Sequence, residues 1–154
     1  MKGDNEVIKG LNEVLTGQLT AINQYFLHSR MLSDWGYEKL AGKVYKESIH
    51  QMKAAKDITD RILLLEGLPN YQKLLKLDIG ENAMETLSND KGFCETSCET
   101  LRRVTQLCLD KKDHVSREMM EDFLEKEESH LDWLEIQMKA SAEVGKENYL
   151  AEKL

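Results

Sequence analysis

The sequence predicts an all-α fold: a four-helix bundle with one long crossover and a short helix at the carboxyl end. Two observations support this prediction. Four long segments repeat apolar residues every three or four positions, and only one proline occurs in 154 residues. With 41% hydrophobic and 32% charged residues, the chain is expected to form a single domain over residues 1–154.

The first two predicted helices form a hairpin. The first runs from about Asn5 to Asp34, with Asp4 as its N-cap, and is interrupted at "WGYE". The second runs from about Glu38 to Glu66 and ends at "GLPN", because glycine and proline interrupt a helix. The stretch "NYQKLLKLDIG" then provides the only long connection.

The remaining helices form a second hairpin and a tail. The third predicted helix runs from about Glu81 to Asp110, and the fourth from about His114 to Val144. Gly145 ends the fourth helix, and "KENYLAEKL" is expected to be a short terminal helix or tail. Two short-loop hairpins joined by one crossover predict a bundle of the type with a single long connection.

The charge and the apolar segments argue against several classes of protein. The formal net charge of −7 argues against a nucleic-acid partner held through its phosphates. No apolar run reaches the length of a membrane span, and "MKGDNEVIKG" lacks the apolar stretch of a signal peptide. Three cysteines without C-x-x-C spacing favour reduced thiols. We therefore expect a cytoplasmic protein without a membrane or nucleic-acid partner.

Polar residues interrupt the inward stripes of all four helices. They are Gln18, Tyr25, Glu47, Gln51, Cys94, Glu127 and His130. Gln18 and Gln51 are 33 residues apart, and so are Cys94 and Glu127, so each hairpin places two of them at similar height. Glu127 and His130 form an E-x-x-H pair on one helix face, which is part of the ligand pattern of a di-metal carboxylate bundle. The spacing matches that pattern, whereas most of the residue types do not.

Several longer motifs resemble those of one family. They include "LTAINQYFLHSRMLSDWGY", "ESIHQMK", "DRILLLEGLPN", "LDIGENA" and "ESHLDWLE". On these motifs the sequence resembles the bacterioferritins of the ferritin-like superfamily over nearly the whole chain. The resemblance implies a ferritin-like bundle, a shell of twenty-four subunits that stores ferric mineral, and haem b between subunit pairs. It also implies a di-iron centre within each subunit that oxidises Fe(II).

This chain departs from the family at the di-iron centre. Where the family has glutamate or histidine ligands, four positions hold Gln18, Gln51, Ala54 and Cys94. Only Glu127 and His130 match, so three carboxylates are missing. Because iron favours oxygen and imidazole ligands with enough negative charge to offset its desolvation, we expect no working ferroxidase centre. Glu127 and His130 would then be a remnant metal site.

Other roles for these residues remain open. Gln18 and Gln51 could brace the bundle through hydrogen bonds to each other, to Tyr25 or to Glu127. Cys94 could hold one zinc ion together with Glu127 and His130, although a small buried cysteine that fills space is commoner.

Five further side chains are expected to have structural or surface roles only. Tyr25 is expected to be a hydrogen-bonded core residue. Glu47 and His50 could contact mineral, but solvated surface is the default expectation for both. His28, like His114, is expected to be an ordinary helix residue.

Met52 follows the inward Gln51 and is therefore expected to point away from the bundle core. Taken alone, this position indicates a hydrophobic contact between subunits. The resemblance instead implies that Met52 and its symmetry mate are the two axial ligands of a haem on a twofold axis. The residues that match the surrounding pocket are Leu19, Asn23, Phe26, Tyr45, Ile49, Lys53 and, nearby, Tyr71. In the family this haem passes electrons to the mineral to release iron, and a ferredoxin-type protein is a candidate reductant.

These observations favour an iron-storage subunit that binds haem, lacks its own ferroxidase centre and co-assembles with a second, ferroxidase-competent subunit type. Two alternatives stay open. One is a bacterioferritin that oxidises iron at an atypical site, and the other is a shell or haem protein with no direct role in iron chemistry.

Overall fold

The computed structural model describes residues 1–154 and contains helices but no strand, so the all-α prediction is confirmed. The helices are α1 (Asn5–Asp34), α2 (Glu38–Leu64), α3 (Ala83–Asp110), α4 (His114–Val144) and α5 (Lys146–Ala151). α1 packs along α2, α3 packs along α4, and α1 also contacts α3. α2 and α4 make few contacts, which leaves that side of the bundle more open. None of the five helices combines the length and the hydrophobicity that a membrane span requires.

The helix ends follow local backbone chemistry. Asp4 caps α1 as predicted, because its carboxylate accepts hydrogen bonds from the N–H groups of the first turn. α2 ends at Leu64, two residues before the predicted end, because Glu66 adopts a left-handed conformation with a φ of 62°. α3 begins two residues later than predicted, because Asn82 is extended and its side chain caps the helix.

Two apolar clusters fill the bundle, one toward each end. The first includes Leu11, Leu15, Ile58, Ile62, Val104 and Met120. The second includes Tyr25, Leu32, Leu40, Leu87, Leu134 and Tyr149. α5 covers the second cluster, and the hydroxyl of Tyr149 donates a hydrogen bond to Gln137 Oε1 at 2.6 Å. Polar residues of the four inward stripes therefore lie between these two apolar clusters.

The crossover between α2 and α3 runs along α1. Side chains of α1 accept hydrogen bonds from backbone N–H groups of the crossover. Three such bonds, 2.9 to 3.0 Å long, follow one another at one-turn intervals along α1. The acceptors and their N–H donors are Thr20 with Leu75, Gln24 with Asp78, and His28 with Gly80. Because these N–H groups are satisfied, an irregular segment can pack closely on the bundle.

Asp90 of α3 orients two of these α1 side chains, Gln24 and His28. Its Oδ1 accepts a hydrogen bond from Gln24 Nε2 at 3.0 Å and lies 2.7 Å from His28 Nδ1. Because His28 Nε2 accepts from Gly80, the ring proton lies on Nδ1 and is donated to Asp90. The expectation that His28 is an ordinary helix residue is therefore wrong: it is fully buried and links α1, α3 and the crossover.

Candidate metal centre

The predicted inward residues meet midway along the bundle, between the two apolar clusters. They are Gln18, Gln51, Cys94, Glu127 and His130, and none is more than 7% exposed. All of them except Cys94 line a cavity of about 660 Å³ to which all four long helices contribute. The structure thus brings together every residue for which the sequence predicted a metal role.

Glu127 is engaged by two of the substituted residues. Gln51 Nε2 donates a hydrogen bond to Glu127 Oε1, one of the bonds that the sequence predicted for Gln51. Cys94 Sγ lies 3.3 Å from Glu127 Oε2 and 3.3 Å from the backbone oxygen of Glu127. Burial raises the pKa of the Glu127 carboxyl, while the bonds from Gln51 and Cys94 act to lower it.

Cys94 is a neutral thiol in this environment. Burial, followed by the nearby Glu127 carboxylate, raises its pKa far above the usual value for a thiol. The thiolate is the form that binds zinc. In this structure Cys94 instead fills space and donates to Glu127, which is the commoner of the two roles that its sequence position suggested.

Gln18 and Tyr25 do not make the hydrogen bonds that were predicted. Gln18 Oε1 and the Tyr25 hydroxyl are both buried without a partner. The expected bond between the two glutamines is absent because the Gln51 amide turns toward Glu127. Tyr25 packs its ring edge-on against His130, with centroids 5.4 Å apart. Burial, and next the Glu127 carboxylate, raises the pKa of Tyr25 well above its usual value, so its phenol stays neutral.

His130 is 2% exposed, and neither of its ring nitrogens has a hydrogen-bond partner. Its ring stacks on Trp133 with centroids 5.9 Å apart and an angle of 10° between the planes. Nδ1 lies 3.6 Å from Glu47 Oε1. Burial lowers the pKa of His130, although the carboxylates of Glu47 and Asp90 oppose this shift. The imidazole is therefore neutral at neutral pH, with its lone pair available.

The expectation of a solvated Glu47 is wrong. Its side chain lies on the inward stripe of α2 one turn before Gln51, where it borders the cavity, and it is buried. Glu47 Oε1 lies 3.5 Å from Lys43 Nζ and 3.5 Å from His50 Nδ1. His50 is exposed to solvent, as predicted, and borders the same cavity.

The residues at the family's ligand positions do not fit a di-iron centre. Ala54 has no donor atom, and the amides of Gln18 and Gln51 are neutral. Glu127 is the only carboxylate among the six positions, and it already accepts hydrogen bonds from Gln51 and Cys94. Two iron ions need several anionic oxygen ligands to compensate for their loss of hydration. This cluster therefore lacks the anionic oxygen ligands that two iron ions would need.

Met52 lies on the opposite, outer side of α2 and is 51% exposed. Tyr45 and Ile49 share its helix face, because they precede it by seven and three residues. Phe26 of α1 adjoins this face, with its ring centroid 6.4 Å from that of Tyr45, and both rings are nearly half exposed. The remaining predicted pocket residues of α1 and α2 are the half-buried Leu19 and the exposed Asn23 and Lys53.

Tyr71 of the crossover lies beside the same face of α2. Its hydroxyl is 2.6 Å from Thr59 Oγ1, and Thr59 follows Met52 by seven residues, or two helical turns. A thioether flanked by exposed aromatic and aliphatic side chains fits a flat, apolar macrocycle shared with a second subunit. Unlike the inward residues at the di-iron positions, this outer surface keeps the thioether and the apolar side chains that a haem would need.

Comparison with known proteins identifies the family of the chain. A family model described as Ferritin-like domain matches residues 8–142. The bacterioferritin of Mycobacterium avium is 45% identical over 152 residues, which cover 99% of this chain and 96% of its own length. Those of Streptomyces coelicolor and Brucella melitensis are 42% and 41% identical, over 98% and 97% of this chain and 90% and 92% of their own lengths. With identity of this level along almost the full length and a confirmed four-helix bundle with one crossover, the chain belongs to the bacterioferritin family of ferritin-like proteins.

Proposed function

We propose that this chain is an iron-storage subunit that binds haem through Met52 and has no working ferroxidase centre of its own. It assembles into a shell of twenty-four subunits around ferric mineral, together with a second subunit type that oxidises Fe(II). The observation that carries the proposal is a contrast between two surfaces of α2. On the outer surface, Met52 is retained among exposed apolar residues. On the inner surface, Gln51 and Ala54 stand where the family has metal-binding side chains.

The outer face of α2 supplies the haem site. Met52 provides a thioether, a soft axial ligand, and its exposure allows the same residue of a symmetry-related subunit to approach from the opposite side. Phe26 and Tyr45 cover apolar surface of the macrocycle and are themselves removed from water on assembly. Haem b held at this face by Met52 would supply electron transfer from a ferredoxin-type reductant to the stored ferric iron.

The inward cluster stabilises the bundle instead of oxidising iron. Gln51 and Cys94 donate to the Glu127 carboxylate from two neighbouring helices. Fe(II) therefore has to be oxidised elsewhere in the shell, which is the role of the second subunit type. We expect the assembly to work in the cytoplasm, and the net charge of −7 of each chain argues against a nucleic-acid partner.

The test is Fe(II) oxidation by the purified chain alone, at two irons per subunit. A matched variant that combines Gln18→Glu, Gln51→Glu, Ala54→His and Cys94→Glu restores the family's donor set. We expect the native chain to oxidise Fe(II) no faster than buffer, and the restored variant to show a rapid, saturable phase. A rapid phase in the native chain would overturn the proposed deficiency.

The mixed shell has its own test. Particles isolated from the source cells are separated into their subunits and each subunit type is identified by mass. We expect this chain together with a second bacterioferritin subunit. Particles made of this chain alone would contradict co-assembly.

A second candidate function is iron oxidation at an atypical site. The buried Glu47 beside His130 favours it, because it adds a carboxylate that the family's six positions do not include. Steady Fe(II) oxidation by the native chain that disappears in His130→Ala would support this candidate over the first.

A further inference from the structure

The chain contains a second E-x-x-H pair that the family's ligand pattern does not use. The segment "ESIH" places Glu47 and His50 on α2, three residues apart and on one helix face. This pair lies one turn before Gln51 and Ala54, the two positions where the family's donors are missing. The donor types absent from one turn of α2 are therefore present on the preceding turn.

Three donor atoms from α2 and α4 are separated by nearly the distances that are found between ligand atoms of one metal ion. Glu47 Oε1 is 3.5 Å from His50 Nδ1 and 3.6 Å from His130 Nδ1. Two atoms that bind one ion at about 2.0–2.2 Å are separated by about 3.0–3.5 Å in tetrahedral or octahedral geometry. Shifts of a few tenths of an ångström would suffice to bring each pair to that spacing.

His130 provides an independent indication of a ligand. Its ring is buried, yet both of its nitrogens lack a hydrogen-bond partner. Buried polar atoms in native proteins nearly always have a partner. Because Trp133 holds the imidazole ring by stacking, Nδ1 stays directed toward Glu47. A cation between these two side chains would satisfy the nitrogen and pair with the carboxylate.

Two exposed side chains have to move before the site closes. No three histidine, cysteine, aspartate or glutamate side chains are already arranged to hold a metal ion. The His50 side chain is 59% exposed, so its ring can turn toward Glu47 without disturbing the core. Lys43 Nζ currently lies 3.5 Å from Glu47 Oε1 and has to leave, which its partial exposure allows. Lys43 and a metal ion therefore compete for the same carboxylate.

The neighbouring cluster is a poorer candidate for the same ion. Glu127 already accepts hydrogen bonds from Gln51 and Cys94, whereas the one hydrogen bond to the Glu47 side chain comes from the Lys43 ammonium, at 3.5 Å. Two imidazoles and one carboxylate are a ligand set used for zinc and for ferrous iron, with remaining positions open to water.

We infer that Glu47, His50 and His130 form a site for one divalent transition-metal ion of the zinc or ferrous class, where the internal cavity opens between α2 and α4. The site lies within one chain, so it depends neither on haem nor on a second subunit type.

The experiment uses the full chain after removal of metal with a chelator. Zinc binding is measured by titration calorimetry, and Co²⁺ is used as a spectroscopic probe of the ligand set. We expect one ion per chain, and affinity reduced by at least about tenfold in His50→Ala and in Glu47→Gln. His114→Ala is the matched control, because His114 is exposed at the start of α4, about 24 Å along the helix from His130. It should bind as the native chain does.

Cys94→Ser separates this site from one at Cys94, Glu127 and His130. We expect the variant to bind with unchanged affinity, and the Co²⁺ spectrum to lack an intense thiolate band in the near ultraviolet. The inference is overturned if no ion binds, if His50→Ala binds like the native chain, or if Cys94→Ser abolishes binding. Because His50 is exposed, its substitution tests the site without risk to folding.

Discussion

Gln51 of α2 donates its side-chain amide to the Glu127 carboxylate of α4, at the place where the family has two metal-binding carboxylates. An amide can donate a hydrogen bond, whereas an ionised carboxylate can only accept one. Two glutamates at positions 51 and 127 would need a cation between their carboxylates. With Gln51, the amide donates to the Glu127 carboxylate, and the two side chains satisfy each other's hydrogen bonding. The inward cluster can thus be stable without metal.

Replacing Gln51 by glutamate should reverse this effect. Two buried carboxylates would then face each other, and we expect the free energy of unfolding at pH 7.5 to fall by about 1–3 kcal/mol. Because such a pair raises the carboxyl pKa in the folded state, the loss should shrink as the pH is lowered. Urea unfolding at several pH values measures it. Gln72→Glu, the same change at an exposed position, should have little effect, and equal losses in the two variants would contradict the prediction.

Replacing Met52 by leucine should abolish or strongly weaken haem binding. Leucine keeps the apolar volume but has no sulfur to act as an axial ligand. The measurement is haem titration followed by the visible absorption of the bound form, with helical content checked by circular dichroism. Met119→Leu, at a half-buried position on α4, should bind haem normally. Unchanged haem affinity in Met52→Leu would show that the axial ligand lies elsewhere.

His130 should make the protein less stable in mild acid. Burial lowers its pKa in the folded state, so below the ordinary value of 6.5 the unfolded chain binds a proton that the folded chain does not. The contribution of neutral His130 to the free energy of unfolding is therefore lost as the pH falls through 6.5 toward the lower pKa of the folded state. In His130→Gln this component should disappear, whereas His114→Gln should keep it. Parallel pH profiles of the native chain and His130→Gln would refute the assignment.

Gly80 should be intolerant of a side chain. A Cβ at this position would lie 2.5 Å from the backbone nitrogen of Thr86, where the crossover meets the first turn of α3. We expect Gly80→Ala to lower the free energy of unfolding by about 1–3 kcal/mol. Gly42→Ala is the matched control, because nothing lies within 4 Å of a Cβ there and alanine favours a helix interior by about 1 kcal/mol. Urea unfolding of both variants should give changes of opposite sign.

The parts of the fold that could be predicted from sequence depend on neighbouring residues. Asp4 and Gly145 gave the correct ends of α1 and α4, since caps act over a few residues. The early end of α2 could not be read from the pattern, because it depends on the left-handed backbone of Glu66. The outward position of Met52 followed from the inward position of Gln51, because helix geometry relates adjacent residues.

The contacts within the site were less predictable because they depend on packing between helices. The periodicity placed both Glu47 and Gln51 on the inward stripe, but it did not show that Glu47 is buried or that His130 lies beside it. Likewise, the candidate partners of Gln51 could be named from the sequence, but not that Gln51 bonds Glu127 and leaves Gln18 Oε1 without a partner. The role of His28 depends on Asp90, which is 62 residues away along the chain.

The way in which α1 holds the crossover has a consequence for sequence drift in that segment. In the three bonds at Thr20, Gln24 and His28, the acceptor is a side chain of α1 and the donor is a backbone N–H of the crossover. The side chains at Leu75 and Asp78 take no part in these bonds, so evolution can exchange them widely while the path of the chain is preserved. Proline is the exception, since it lacks the N–H that Thr20 and Gln24 require. Sequence variation should therefore accumulate at crossover positions such as 75 and 78, while Thr20 and Gln24 of α1 stay constrained.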